Sequence, residues 1–318
     1  MRILVTGANG CIGAWVVKNL LDRGVEVLIY DLDPTPARLS LIAPANQVRQ
    51  AAVETGRIED GARLKTLVKD GGITHIVHLA AWLMPFCQAQ PAGGAMVNVI
   101  GTLNVFEAAR DAGRPVRVVY ASSSAVWGPE EAYASGKLSE EDPLKPSTHY
   151  GVFKQANEGN ARVFYLTNGI SSVGLRPWTV YGVGRDRGLT ADPTLAMRAV
   201  ALGQPFRMRL TGHMDLQYVA DVAETFIRCA LSPLEGPYVF NLEGTVATMD
   251  ELIGIFERLR PGSAGLISAQ GPEVPVAYRM DGCKLRMAVP GIPQTPLMDG
   301  IGETIAIYER LQRAGVTV

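Results

Sequence analysis

The opening 31 residues restrict the possible fold more than any other stretch. Ile3-Leu4-Val5 is a short apolar run, as expected of a strand buried on both faces of a parallel sheet. Thr6-Gly7-Ala8-Asn9-Gly10-Cys11-Ile12-Gly13 follows at once, then a segment of helical spacing over 14–21 that ends before Gly24. A second strand over 25–30 closes on Asp31. The spacing predicts a βαβ unit with glycines at its first βα turn and an acid at the end of strand two. Each glycine has its own task. Gly7 permits the tight turn, Gly10 lets the backbone approach a pyrophosphate, and Gly13 lets the helix pack close to the sheet. The helix N-terminus stabilises the phosphate charge. Asp31 can accept hydrogen bonds from the adenosine ribose hydroxyls and would repel a 2′-phosphate, so NAD is expected ahead of NADP.

The alternation then repeats. Residues 62–69 predict a helix, 74–79 a strand, 95–112 a long helix carrying Asn98, and 116–120 a strand that leads into Ser122-Ser123-Ser124. Such alternation predicts an α/β fold, a doubly wound parallel Rossmann sheet. Ligands of these sheets sit at the carboxyl ends of the strands, where the glycine loop, the loop after Leu79 and the serine triplet all fall. Residues 216–231 read as a helix and 238–241 as a strand. Two stretches, 180–212 and 260–296, are richer in Gly and Pro and less periodic. The expected division is a core of residues 1–176 and 215–242, with 177–214 and 243–318 forming a smaller C-terminal substrate or lid domain.

Tyr150 and Lys154 fall four residues apart in a helical segment, one turn apart on one face. A phenol titrates near ~10, and a fixed ammonium nearby favours the phenolate. The pair is thus a candidate proton-transfer device. Tyr-x-x-x-Lys by itself is a weak motif; its order after a glycine loop and a serine triplet makes it informative.

Composition excludes several function classes. A net charge of −1 over 318 residues gives no electrostatic case for nucleic acid or an anionic membrane. No apolar run reaches the ~18 residues that a bilayer requires, and the N-terminus enters a strand without a signal-peptide core. Cys11, Cys87, Cys229 and Cys283 are scattered, as are His75, His78, His149 and His213, so neither disulfides nor a metal site is expected. A cytoplasmic location is the expectation.

Together these pieces resemble an extended short-chain dehydrogenase/reductase of the NAD-dependent epimerase/dehydratase type. The likeness rests on Thr6-Gly7-x-x-Gly10-x-x-Gly13, His78-Leu79-Ala80-Ala81, Asn98-Val99-Ile100-Gly101-Thr102, the serines before Val126-Trp127-Gly128, and Tyr150-x-x-x-Lys154. Leu175-Arg176-Pro177 before Val180-Tyr181-Gly182, Tyr218-Val219-x-Asp221-Val222 and Asp281-x-x-Lys284 extend it over most of the chain. The resemblance implies Tyr150 as general acid/base, Lys154 as the residue that depresses its pKa and holds the nicotinamide ribose, and Ser123 as the hydroxyl that binds the reacting oxygen. It implies a cofactor surface of Gly7, Asn9, Gly10, Cys11, Ile12, Gly13, Asp31, Arg57, Ile58, Leu79, Ala80, Ala81, Asn98, Tyr150, Lys154 and Pro177. Arg57 stands where the family often has Asp, and could stack on adenine or favour NADP. Met84, Ser124, Trp127, Thr179 and Arg185 are the substrate-binding candidates, and Trp82, Phe86, Cys87 and Trp178 are further possible lining residues.

Departures from the family pattern narrow the chemistry. Dehydratases place Asp and Glu directly after the catalytic hydroxyl; here stand Ser124 and Ala125. The arginine that binds a sugar-nucleotide diphosphate is replaced by Met214, the Asn before Val-Tyr-Gly by Thr179, and no Lys or Arg lies between Arg260 and Arg279. A diphosphate would lose charge-assisted hydrogen bonds worth ~1.5–3 kcal/mol each. The expectation is an NAD-dependent oxidoreductase acting on a secondary alcohol or carbonyl of a small substrate such as a free sugar or sugar acid. The alternatives are a sugar or nucleotide-sugar epimerase that retains its NAD, and a non-catalytic NAD-binding protein. By resemblance a homodimer is expected, packed through the helices that start near Ala95 and His149.

Overall fold

The computed structural model describes residues 1–134 and 136–317, the side chain of Leu189 apart. Its strands in chain order are β1 (Arg2–Thr6), β2 (Glu26–Asp31), β3 (Ala52–Thr55), β4 (His75–His78), β5 (Arg117–Ala121) and β6 (Ser172–Arg176). Then follow β7 (Thr179–Tyr181), β8 (Phe206–Met208), β9 (His213–Tyr218), β10 (Pro237–Asn241), β11 (Thr245–Thr248) and β12 (Ile267–Ala269). Seven of these form one parallel sheet in the order β10-β6-β5-β4-β1-β2-β3. This is the doubly wound Rossmann arrangement expected from the alternating pattern.

Side-chain alternation along the strands divides the interior in two. Ile3, Val5, Val27, Ile29 and Val119 join a core with the helices Cys11–Asp22 and Val219–Leu231. Leu4, Leu28, Tyr30, Val118 and Tyr120 join another with Gly61–Asp70, Gly101–Arg110 and His149–Asn168. Continuous apolar strands therefore bury both faces, and helices cover each. The first core runs on without a break through Val180, Met214 and Leu252 to Ile301 and Leu311. The C-terminal half is consequently fastened to the sheet by shared apolar contacts.

Several elements differ from the sequence reading, among them the unanticipated helices Asp192–Leu202 and Met249–Leu259. Residues 216–218 end a strand rather than open a helix, because β9 pairs antiparallel with β11 and parallel with β7; the helix begins at Val219. The long helix over 95–112 is broken into Pro91–Ala95, a π-helical turn Met96–Ile100, and Gly101–Arg110. A π turn carries one extra residue per turn and re-aims its side chains; Asn98 sits in it. The C-terminal helix Leu297–Arg313, which buries Ile301, Ile305 and Tyr308, was not anticipated.

Candidate active site

The carboxyl ends of β1, β4 and β5 meet at one edge of the sheet, and the glycine loop lies there. Gly7 adopts φ +68, and an added Cβ would lie 2.5 Å from the Ala80 amide nitrogen. A Cβ on Gly13 would lie 2.5 Å from the Gly7 carbonyl. Only glycine lets the loop press against the end of β4 and the helix against the loop. No side chain caps this helix at Gly10, and among the described residues the amides of Cys11, Ile12 and Gly13 have no acceptor. Three amides then point out of a helix N-terminus, a donor set that suits a pyrophosphate. Asp31 receives the Asn9 amide at 2.9 Å and the Leu32 amide at 2.8 Å, which fixes the carboxylate at the end of β2. By donor chemistry and by the space glycine leaves, these residues fit a dinucleotide.

Behind the loop runs a buried polar chain. Thr6 Oγ1 meets His78 Nδ1 at 2.7 Å, and His78 Nε2 meets Thr102 Oγ1 at 3.0 Å. Thr102 donates to the Asn98 carbonyl at 2.7 Å, and Asn157 Nδ2 donates to the same carbonyl at 2.8 Å. The Asn98 side chain accepts from the Trp82 amide at 2.7 Å and donates to the Trp82 carbonyl at 2.9 Å. Asn98 thus acts as a brace for the loop after β4. Burial, with a contribution from the Lys154 charge, pushes the His78 pKa down to about 3, so its ring is neutral.

The helix His149–Asn168 delivers Tyr150 and Lys154. Thr148 caps it, accepting from the Gly151 amide at 3.1 Å, a hydrogen bond worth ~1 kcal/mol to such a helix. Gly151 touches the turn that holds Ser123: a Cβ there would sit 2.1 Å from the Ala125 carbonyl oxygen. This glycine sets the distance between Tyr150 and Ser123. Ser123 Oγ accepts from the Ala125 amide at 3.1 Å. Ser124 is buried, its amide held by the Pro177 carbonyl at 3.0 Å.

One turn beyond Lys154, Glu158 receives the Ser122 hydroxyl at 2.5 Å and Arg176 through two bonds of 2.8 Å. The Arg176 guanidinium lies 4.6 Å from the centre of the Trp127 ring. The sequence reading missed Gly151 and Glu158. Position 158 continues the 150, 154 spacing, which was a readable signal; the carbonyl that excludes a side chain at 151 was not.

Burial raises the Tyr150 pKa, while a hydrogen bond from Ser123 and the charge of Arg185 pull it down. The Lys154 ammonium donates to the Ala121 carbonyl at 2.6 Å and lies 5.5 Å from the Tyr150 ring centre. Burial lowers its own pKa to about 8. Arg185 thus adds a positive charge that favours the phenolate. Both cysteines near the cleft are held as thiols by burial, with Cys11 pushed up to about 12 and Cys87 raised.

The remaining candidates are placed as follows. Ile58 is buried beneath Gly101, and the exposed Arg57 pairs with Glu59 at 2.7 Å. Trp127 is fully buried with Val126, Leu138, Ala277 and Met280. Thr179 is buried, and its hydroxyl donates to the Met214 sulfur at 3.8 Å. Met84 begins the short helix Met84–Ala89 beside Leu83. Arg185 Nη2 donates to Thr190 Oγ1 at 2.9 Å. Among the described residues no group of three or more His, Cys, Asp or Glu could hold a metal.

Comparison with known proteins adds the following. The model of the NAD dependent epimerase/dehydratase family matches residues 3–242. A UDP-glucose 4-epimerase of Mycolicibacterium smegmatis is 29% identical, over 97% of this chain and 98% of its own length. The crystal structure of a Thermus thermophilus UDP-glucose 4-epimerase in complex with NAD superposes with a TM-score of 0.80 at 26% identity, covering 97% of this chain and 99% of that one. An L-threonine dehydrogenase from Cupriavidus necator shares the fold, with a TM-score of 0.82 at 23% identity over 98% of this chain and all of its own, 100%.

Proposed function

The chain belongs to the NAD-dependent epimerase/dehydratase family, and we propose that within it this enzyme oxidises or reduces a secondary alcohol or carbonyl of a small polyhydroxylated molecule without a nucleotide. The supporting observation is Met214. It is fully buried and receives the Thr179 hydroxyl, so the place where the family pattern puts a diphosphate-binding arginine carries no charge and is packed against a neighbour. A sugar nucleotide would leave its diphosphate short of charge-assisted hydrogen bonds there.

NAD is the cofactor, and when bound it supplies a hydride acceptor or donor at the carbinol carbon. In our reading the amides of Cys11, Ile12 and Gly13 hold its pyrophosphate and Asp31 its adenosine ribose, with Leu79, Ala80, Ala81 and Pro177 along the rest of the cleft. Ser123 binds the reacting oxygen, and Tyr150 takes or gives the hydroxyl proton. Lys154, anchored on the Ala121 carbonyl, holds the nicotinamide ribose. Arg57, Ile58 and Asn98 act less directly: Ile58 and Asn98 support the walls, and Arg57 stays at the rim.

A second reading, a sugar epimerase that retains NAD and returns the hydride to the opposite face, is supported by the full-length likeness to the M. smegmatis epimerase. The same residues would serve it. Absorbance at the reduced-nicotinamide band separates the two, with added NAD and a panel of free sugars, sugar acids and nucleotide sugars. Net NADH from a nucleotide-free substrate, abolished in Tyr150→Phe, is the expected result. Interconversion of a nucleotide sugar with no net NADH would overturn it.

We further propose a cytoplasmic homodimer, with residues 177–214 and 243–318 forming the substrate side. Exposed Met96, Ile100, Val152, Val163 and Leu166 support the dimer, since all lie on the two helical segments expected at its interface. No helix among the described residues is long and apolar enough to cross a membrane.

A further inference from the structure

A guanidinium taken from water is ordinarily matched by a carboxylate. Arg185 is not. Its Nη2 donates to the Thr190 hydroxyl at 2.9 Å, and its Nε is buried with no hydrogen-bond partner among the described residues. The neighbouring acid is committed elsewhere: both oxygens of Asp186 accept from Arg38 Nη2, at 2.6 and 2.9 Å. Arg38 is anchored in turn, through Nε on the Gly184 carbonyl at 2.9 Å and Nη1 on the Asn9 carbonyl at 2.7 Å. One arginine neutralises the acid beside the other, and among the described residues no carboxylate pairs with Arg185.

Its position gives that charge a use. Gly188, at φ +91, lies where an added Cβ would be 3.5 Å from both Arg185 Nη2 and Leu83 Cδ1. Leu83 is the N-cap of the short helix that Met84 begins, so Arg185 stands close to one of the expected substrate-binding residues. Its field reaches the Tyr150 phenol and the glycine-loop Cys11. Nε–H and one proton of Nη2 lie on one edge of the planar fork, a spacing that matches the two oxygens of a carboxylate.

We propose that Arg185 is the anion receptor of the substrate site, binding a carboxylate on the molecule whose hydroxyl Tyr150 deprotonates. This rests on the oxidoreductase reading and narrows the substrate to hydroxy acids. The cofactor's pyrophosphate is the other nearby source of negative charge, and it already has three helix amides to receive it.

The test is calorimetric binding to NAD-saturated protein of matched pairs that differ in one carboxylate: glycerate and glycerol, threonate and threitol, gluconate and glucitol. In wild type at least one acid should bind about tenfold or more tightly than its neutral partner. Arg185→Gln should abolish that preference and Arg185→Lys keep part of it, with NAD affinity within about twofold in both. The inference is overturned if no acid is preferred, or if the preference survives in Arg185→Gln. It is equally overturned if the substitution weakens NAD about tenfold and leaves the preference intact, or if UDP binding alone depends on Arg185. Arg185-dependent acid binding without NADH formation would defeat the oxidoreductase reading and leave the receptor standing. NADH formation from neutral polyols, equal in wild type and Arg185→Gln, would do the reverse.

Discussion

Gly151 has no functional group, yet it decides where the Tyr150 hydroxyl can stand. Its hydrogen occupies the space in which a Cβ would meet the Ala125 carbonyl at 2.1 Å. Gly151→Ala should push the helix start away from Ser123, and a displacement of ~1 Å can lower kcat by about a hundredfold. Steady-state kinetics with unchanged NAD affinity would check this; full activity would show that the turn yields instead. His78 gives a pH prediction. Its folded pKa of about 3 lies below the ordinary 6.5, so the unfolded chain binds a proton that the folded chain refuses. The stability it contributes is present above about pH 6.5 and lost as pH falls towards 3. Denaturant midpoints at about pH 7 and about pH 4.5 should lie further apart in wild type than in His78→Asn, because the variant lacks this acid limb. Of the residues with a proposed chemical task, Gly7, Asp31, Tyr150 and Lys154 were legible from local spacing, and Ser123 through the family resemblance. Arg38, Gly151 and Asp186 were not, since each acts on an atom far away in the chain or set by the turn geometry.

The catalytic helix is held in place by its own third turn. Arg176 and Glu158 are almost fully buried, with side-chain exposures of 4% and 8%, and their bond ties the helix to β6 while Ser122 ties it to the turn after β5. Removing one partner of such a pair strands the other charge. Glu158→Ala should therefore cost about 3–5 kcal/mol of stability, and Glu158→Gln less, since it keeps one acceptor. Equilibrium unfolding in urea measures both, and a loss near zero for Glu158→Ala would mean that water reaches Arg176. Among the elements, β3 and β6 were not read from the sequence, whereas β1, β2, β4, β5, β10 and the glycine-loop helix followed from apolar runs and turn residues. β9 did not, because its identity comes from pairing with β7 and β11. The break over Met96–Ile100 was equally silent: Asn98 is fixed by the backbone of Trp82, a contact that helical periodicity cannot encode.

At the scale of the whole molecule, one apolar core links β1 to the C-terminal helix, and the cleft lies at the carboxyl edge of the sheet. The same fold is found in proteins named as epimerases and in one named as a dehydrogenase, so fold alone leaves the fate of the hydride open. Here the buried Met214–Thr179 contact and Arg185, which has no carboxylate partner among the described residues, favour the proposed small charged substrate over a sugar nucleotide. The most direct measurement follows the hydrogen itself. A hydroxy-acid substrate identified in the binding panel is deuterated at its carbinol carbon, incubated with enzyme and added NAD, and both nucleotide and sugar products are analysed by mass spectrometry. The deuterium should appear in NADH released to solution, in a one-to-one ratio with oxidised product. Deuterium that stays with an epimerised product, and never enters released NADH, would contradict the account.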